Sequence, residues 1–166
     1  MIRVVQQSAA RLAVDAIVRA ADASLQPLGA ASAALDDAAG PHFESQRQVA
    51  APLDAGAAVI TGAGDLAADY VLHIVLASEY RATTPDIVRR ALASAWHRAE
   101  GWELMTIGAP LGSVAVAELS LDTAVRLLID TFRERRPGSR FPAELQIVVT
   151  GPVEQALVDS LLGSAR

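Results

Sequence analysis

The side chains that could perform chemistry in this chain are restricted in type. The 166-residue sequence contains no cysteine, which excludes disulfides, thiolate metal sites and cysteine nucleophiles. All fourteen lysine-or-arginine cations are arginine, so the sequence contains no lysine. It also contains no asparagine. Schiff-base chemistry on a lysine and catalysis by an asparagine are therefore impossible.

The three histidines do not form a metal-binding pattern. His42, His73 and His97 are scattered, with no short ligand spacing among themselves or to aspartate and glutamate. We therefore expect no metal site. His73 lies within the apolar run Tyr70–Leu76, a position that favours a hydrogen-bonded core histidine over a catalytic one.

The carboxylates and serines of the sequence also match few known catalytic arrangements. Asp36 and Asp37 are neighbours on a predicted helix, so their side chains point about 100° apart, and we expect both on a solvated surface rather than in an acid/base pair. Ser113 is not part of a Gly-x-Ser-x-Gly elbow. The turn Thr61-Gly-Ala-Gly64 lacks the third glycine of a dinucleotide-binding loop and leads into another predicted strand.

Composition and charge narrow the classes of partner. The formal net charge of −5 provides no basic surface for nucleic acid, since binding to phosphates needs clustered cations. The arginines at 133, 135 and 136 are typical of a helix end that complements the helix dipole. No apolar stretch reaches 18 residues, so we expect no membrane span and a cytoplasmic protein.

The hydrophobic pattern alternates between strands and helices. Short apolar, β-branched runs predict buried strands at Ile2–Val5, Ala16–Val18, Val59–Thr61, Val71–Leu76, Leu104–Ile107 and Leu145–Val149. Helices are predicted from Ala30 to Ala39, from Pro85 to Gly101, after Ser120 as far as Pro137, and from Pro152 to Leu162. This alternation is typical of an α/β layered domain with a substantially parallel sheet, and the length fits one domain over residues 1–166.

Details of three helices follow from their sequences. Thr84 and Pro85 match the N-cap and first position of a helix. Ser120 caps the next helix, in which apolar residues fall on one stripe. For the last helix we expect the buried face to be formed by Val153, Ala156, Leu157 and Leu161. The segment Pro41–Ala55 is the most irregular connection.

Two segments carry a family pattern. Residues Val14–Asp22 read Val-Asp-Ala-Ile-Val-Arg-Ala-Ala-Asp, and residues Ala57–His73 read Ala-Ala-Val-Ile-Thr-Gly-Ala-Gly-Asp-Leu-Ala-Ala-Asp-Tyr-Val-Leu-His. Both segments resemble the macro domain, a module best known for holding ADP-ribose, and most of the chain can be followed along that pattern. The resemblance implies a three-layer α/β/α macro-domain-like fold with a mixed, largely parallel central sheet.

The resemblance also implies where a ligand would bind, and several of those positions have changed. Arg19 and Asp22 stand where the family has two asparagines, and Ser8 stands where an aspartate receives the adenine amino group. Gly29 remains from a run of phosphate-approaching glycines, whereas Gly112 and Ser113 remain from the second phosphate loop. For Arg19, clamping a phosphate and a purely structural role are both open. The implied ligand-binding set is Ser8, Arg19, Asp22, Gly29, Gly112 and Ser113.

Three functions remain open. The first is a macro domain with a degenerate, noncatalytic cleft for ADP-ribose, a related nucleotide or phosphate. The second is a structural or protein-interaction domain whose pocket is filled by side chains such as Pro27, Leu28 and Val114. The third is an ADP-ribosyl hydrolase in which Asp22 would have to activate water. None of the three requires a cofactor, and the sequence leaves self-association open.

Overall fold

A computed structural model describes residues 1–164. Six strands form one sheet in the order β1-β6-β5-β2-β4-β3, where the strands are β1 (Ile2–Gln6), β2 (Ala16–Asp22), β3 (Ala58–Gly62), β4 (Tyr70–Ala77), β5 (Thr106–Pro110) and β6 (Glu144–Val149). Every neighbouring pair is parallel except β3 with β4. The mixed, largely parallel sheet predicted from the sequence is therefore confirmed.

Helices cover both faces of this sheet and complete the three layers. They are α1 (Ala30–Ala39), α2 (Phe43–Gln46), α3 (Pro85–Gly101), α4 (Leu121–Glu134) and α5 (Pro152–Ser164). One face packs α3, α4 and α5 against strand residues such as Val18 and Leu72. The other face packs α1 and α2 against Ile17 and Val71. Successive residues of β2 therefore serve opposite layers, as the pleat of a strand requires.

The predicted helix start at Thr84 is confirmed in atomic detail. The Thr84 Oγ1 accepts a hydrogen bond of 3.2 Å from the Ile87 amide, and Pro85 occupies the first helical turn. Ser120 caps α4 in the same way through the Thr123 amide, at 3.1 Å. Within residues 1–164, no helix combines the length and the apolarity needed to span a membrane.

Replacing Thr84 with alanine is expected to lower the free energy of unfolding by about 1 kcal/mol, because the Ile87 amide loses its acceptor. Chemical denaturation measures the change. Thr83→Ala removes a neighbouring hydroxyl that caps no helix and should change stability by less than about 0.5 kcal/mol. Equal losses in the two variants would contradict the capping role.

Three expectations about the elements need correction. The buried face of α5 is formed by Val158 and Leu161, whereas Val153 is 80% exposed and Ala156 is exposed. A short helix, α2, interrupts the segment predicted to be irregular, because Phe43 is buried against the sheet. Strand β2 continues to Asp22, so Arg19 lies in the middle of a central strand and Asp22 at its carboxyl end.

Candidate functional site

The carboxyl ends of the parallel strands bring most of the predicted site residues to one edge of the sheet. Asp22 ends β2, and the connection that follows leads through Gly29 into α1. Gly112 and Ser113 lie in the 3-10 turn Leu111–Ser113 that directly follows β5. Strands β2 and β5 are neighbours in the sheet. Ligands of open α/β sheets bind at this kind of edge.

The two connections are in direct contact. A Cβ placed on Gly112 would lie 2.9 Å from the Ala31 Cβ, and one placed on Gly29 would lie 3.3 Å from the Val116 Cγ1. Gly29 also has a φ of 88°, a conformation that glycine adopts without strain. Glycine at both positions therefore allows the turn after β5 to approach the start of α1.

Two groups at this contact lack hydrogen-bond partners within the described chain. The Ser113 hydroxyl is fully buried and has none. Helix α1 begins after Gly29 without a side-chain cap and has no acidic residue in its first turn. The first amides of a helix have no intrahelical acceptor and carry the positive end of its dipole. One of the two connections therefore carries anion-seeking amides, and the other carries an unsatisfied hydroxyl.

Asp22 is already engaged by its own connection. Its Oδ1 accepts hydrogen bonds from the Ser24 amide at 2.8 Å and the Gln26 amide at 3.0 Å, an Asx-type turn. The Leu28 amide also donates to the Ala20 carbonyl at 3.1 Å. The connection after β2 is thus tied to the strand at both of its ends.

The Arg19 side chain lies between the sheet and α1. Its side chain is 0% exposed, and its Nε and Nη2 donate to the two carboxylate oxygens of Asp36 on α1, at 2.6 and 2.8 Å. The expectation that both Asp36 and Asp37 lie on solvated surface is therefore wrong for Asp36, since a buried guanidinium requires a counter-ion. The Arg19 guanidinium is therefore held in a buried ion pair between β2 and α1.

His73 completes the network around Arg19. The Arg19 Nη1 donates to the His73 Nδ1 at 3.1 Å, and the His73 Nε2 lies 2.7 Å from the Thr61 Oγ1. Because a guanidinium can only donate, Nδ1 is the acceptor and the ring proton resides on Nε2. Burial, followed by the charges of Arg19 and Arg47, lowers the pKa of His73 from 6.5 to about 3. The prediction of a hydrogen-bonded core histidine is confirmed.

Arg47 links this network to the connection after β2. Its Nη1 donates to the Leu25 carbonyl at 3.1 Å, and its Nη2 lies 3.5 Å from the Asp36 Oδ2. Both guanidinium carbons lie 5.7 Å from the centroid of the Phe43 ring. Sequence reasoning missed Asp36 and Arg47, although a charged Arg19 inside an apolar strand indicated that a partner was needed.

The remaining predicted residue lies farther along the edge. Ser8 is exposed after β1, at the border of the sheet, and its hydroxyl makes no capping bond to the turn Ala9–Arg11. This turn contacts α1. Among the described residues, no group of three or more histidine, aspartate or glutamate side chains could hold a metal ion.

Comparisons with known proteins agree with this architecture. The family model for the Macro domain matches residues 18–128. An uncharacterised protein of Mycobacterium bovis is 32% identical over 134 residues, and the match covers 81% of this chain but 37% of that protein. O-acetyl-ADP-ribose deacetylase 1 of Pantoea vagans is 30% identical over 138 residues, which cover 80% of this chain and 81% of the enzyme.

Solved structures show the same fold. The Trypanosoma brucei macrodomain in complex with ADP-ribose superposes with a TM-score of 0.81 at 24% identity, covering 98% of this chain and 69% of that one. At this identity the likeness concerns the fold. The chain spans little more than a third of the length of the mycobacterial relative.

Proposed function

The chain belongs to the macro domain family, and from this premise we propose that it is a noncatalytic macro domain with a degenerate nucleotide-type site. In this proposal the phosphate-binding end of the cleft is retained around Gly29, Gly112 and Ser113. The positions that would recognise adenine and the distal ribose, Ser8 and Asp22, have changed. We infer weak binding of ADP-ribose, a related nucleotide or phosphate.

The observation that carries this proposal is the unsatisfied hydroxyl of Ser113, whose neighbour Gly112 packs against Ala31 at the uncapped start of α1. A buried hydroxyl without a partner costs about 1–3 kcal/mol, and an incoming phosphate oxygen would remove this cost by accepting its hydrogen. The first amides of α1 supply further donors, and the helix dipole favours an anion at the same place. Because the hydroxyl is fully buried, the two connections must separate slightly when a ligand enters.

Asp22 supports the degenerate part of the proposal. A carboxylate in place of a neutral amide repels the diphosphate of ADP-ribose, and Arg19 cannot offset this charge because its guanidinium is committed to Asp36. The Asp22 Oδ1 already accepts two amide hydrogens. The charge repulsion and the two amide hydrogen bonds both argue against a role for Asp22 in activating water.

Ser113→Ala should affect stability and ligand binding in different ways. Removing an unpartnered hydroxyl should leave stability unchanged or raise it by up to about 1 kcal/mol. The same substitution should weaken the binding of ADP, ADP-ribose or phosphate by about tenfold, since one hydrogen bond to a charged group is lost. Denaturation and isothermal calorimetry measure the two effects.

Two serines provide matched controls. Ser32 is equally buried, but its Oγ accepts from the Ala20 amide at 3.1 Å, so Ser32→Ala should cost about 1 kcal/mol. Ser45 is exposed on α2, so Ser45→Ala should leave both stability and binding unchanged. Binding that is unaffected by Ser113→Ala would refute the role of this hydroxyl.

Catalysis is tested separately by incubating the protein with an ADP-ribosylated protein and with O-acetyl-ADP-ribose. The proposal expects no turnover. Turnover that disappears in Asp22→Ala would overturn the noncatalytic assignment and support a hydrolase that uses Asp22.

A second candidate function is a structural or protein-interaction domain with a closed pocket. It is favoured by the contact between Gly29 and Val116 and by the complete burial of Val114. Pro27 is exposed and does not fill the pocket, whereas Leu28 is partly buried against the core. The absence of heat and of a thermal shift with millimolar ADP-ribose, ADP and phosphate would favour this function over nucleotide binding.

A further inference from the structure

A second cleft lies at the carboxyl ends of β2 and β4; it shares Asp22 with the proposed nucleotide site but contains none of Gly29, Gly112 and Ser113. Its volume is about 780 Å³, within the usual range for small-molecule sites. Three chain segments line it, residues 22–24, 52–55 and 77–81, together with Arg90 of α3. We call this space the β2/β4 cleft.

Five charged side chains surround the β2/β4 cleft, and they carry both signs. The carboxylates are Asp22, Asp54 and Glu79, and the guanidinium groups are Arg81 and Arg90. None of the ion pairs within residues 1–164 involves any of the five. Three negative and two positive charges therefore line one space without neutralising each other by contact, and their sum is −1.

The segments that carry these charges are fixed by backbone hydrogen bonds. The Leu53 amide donates to the Ala23 carbonyl at 2.8 Å, which joins two walls of the cleft. Ser78 and Arg81 exchange two backbone hydrogen bonds, of 2.9 and 3.3 Å, in a tight turn. The cleft is thus largely preformed, which lowers the entropic cost of binding.

The two arginines are placed on one wall. The Arg90 side chain packs on Gly56, where an added Cβ would lie 3.4 Å from the guanidinium carbon. Arg81 and Arg90 also line a neighbouring open cleft, so they form the boundary between the two spaces. The exposed Tyr80 ring belongs to the same turn as Arg81 and lines the β2/β4 cleft.

We propose that the β2/β4 cleft binds a free basic α-amino acid. The ligand carboxylate pairs with Arg81 and Arg90, and its cationic groups pair with Asp22, Asp54 and Glu79. A basic amino acid carries one negative and two positive charges, so its net charge of +1 balances the −1 of the lining. A purely anionic ligand would face three carboxylates, and a simple diamine would leave both arginines unpaired.

Nuclear magnetic resonance titration with L-lysine tests this proposal. We expect the largest shifts at the amides of Ser24, Ala55 and Ser78–Arg81, and none at Gly112 and Ser113. 1,5-Diaminopentane lacks the carboxylate of lysine, and we expect it to bind about tenfold more weakly, because the charge-assisted bonds to the arginines are missing. L-Glutamate, with the opposite net charge, should not bind.

Arg90→Gln is the decisive variant. We expect it to weaken lysine binding about tenfold and diaminopentane binding hardly at all, so that the two affinities become similar. Arg140→Gln removes an exposed arginine outside the cleft and should preserve the difference. Equal affinities for lysine and diaminopentane in the unsubstituted protein, shifts outside the cleft, or no shift at all with millimolar lysine would each overturn the proposal. None of these outcomes tests whether a nucleotide binds at Ser113, so the two proposals can fail independently.

Discussion

Asp36→Ala is expected to lower the free energy of unfolding by about 3–5 kcal/mol, the usual consequence of leaving a buried charge without its partner. The Arg19 guanidinium is 0% exposed and is held by both oxygens of Asp36. Without Asp36, the remaining hydrogen-bond partner of the Arg19 side chain in the described chain is the neutral His73. Arg47 lies close by and adds a second positive charge that the same carboxylate balances.

The neighbouring aspartate supplies the matched control. Asp37 is exposed, so Asp37→Ala should change stability by less than about 0.5 kcal/mol. The double variant Arg19→Met with Asp36→Leu removes both charges and should recover most of the lost stability, because replacing a whole buried ion pair by apolar groups is often neutral. Similar unfolding midpoints for Asp36→Ala and Asp37→Ala would contradict the structural role of the pair.

Acidification should destabilise the fold through His73. Burial and the two nearby arginines lower the pKa of His73 from 6.5 to about 3, so the unfolded chain takes up a proton at a higher pH than the folded one. Stability is therefore unaffected by this group well above pH 6.5 and falls as the pH decreases from 6.5 toward 3. Between pH 7 and pH 5 the expected loss from this residue is about 2 kcal/mol.

His73→Gln isolates this contribution. A glutamine amide can accept from Arg19 and donate to Thr61 but does not titrate, so the variant should lose about 2 kcal/mol less than the unsubstituted protein between pH 7 and pH 5. His97 is exposed on α3, and His97→Gln should retain the acid sensitivity. Unfolding curves at several pH values measure the slopes, and parallel slopes for the native protein and His73→Gln would refute the prediction.

The buried network has a consequence for the candidate site. Arg19 stands where the macro-domain pattern has an asparagine, and here it joins β2 to α1 through Asp36. The same helix begins at Gly29, against the turn that contains Gly112 and Ser113. The ion pair thus fixes the position of the helix whose start forms one wall of the proposed site.

Local patterns account for what the sequence predicted correctly. Short apolar, β-branched runs identified six strands, and the N-cap signals at Thr84 and Ser120 identified the starts of α3 and α4. These signals depend on residues within about four positions of one another. The macro-like segment from Ala57 to His73 contains β3 and the first half of β4, which are paired antiparallel in the structure. The position of the last helix was predicted correctly, but the residues of its buried face were predicted wrongly.

The sequence by itself therefore determined the fold family and the order of its main strands and helices. The tertiary structure alone decided which charges meet. Asp36 pairs with Arg19 across 17 positions, while its neighbour Asp37 remains in solvent, and no local periodicity distinguishes two adjacent aspartates. The β2/β4 cleft likewise forms from segments that are separate along the chain. Secondary structure follows from short-range sterics and hydrophobic period, whereas charge pairing and cavities depend on how distant segments pack.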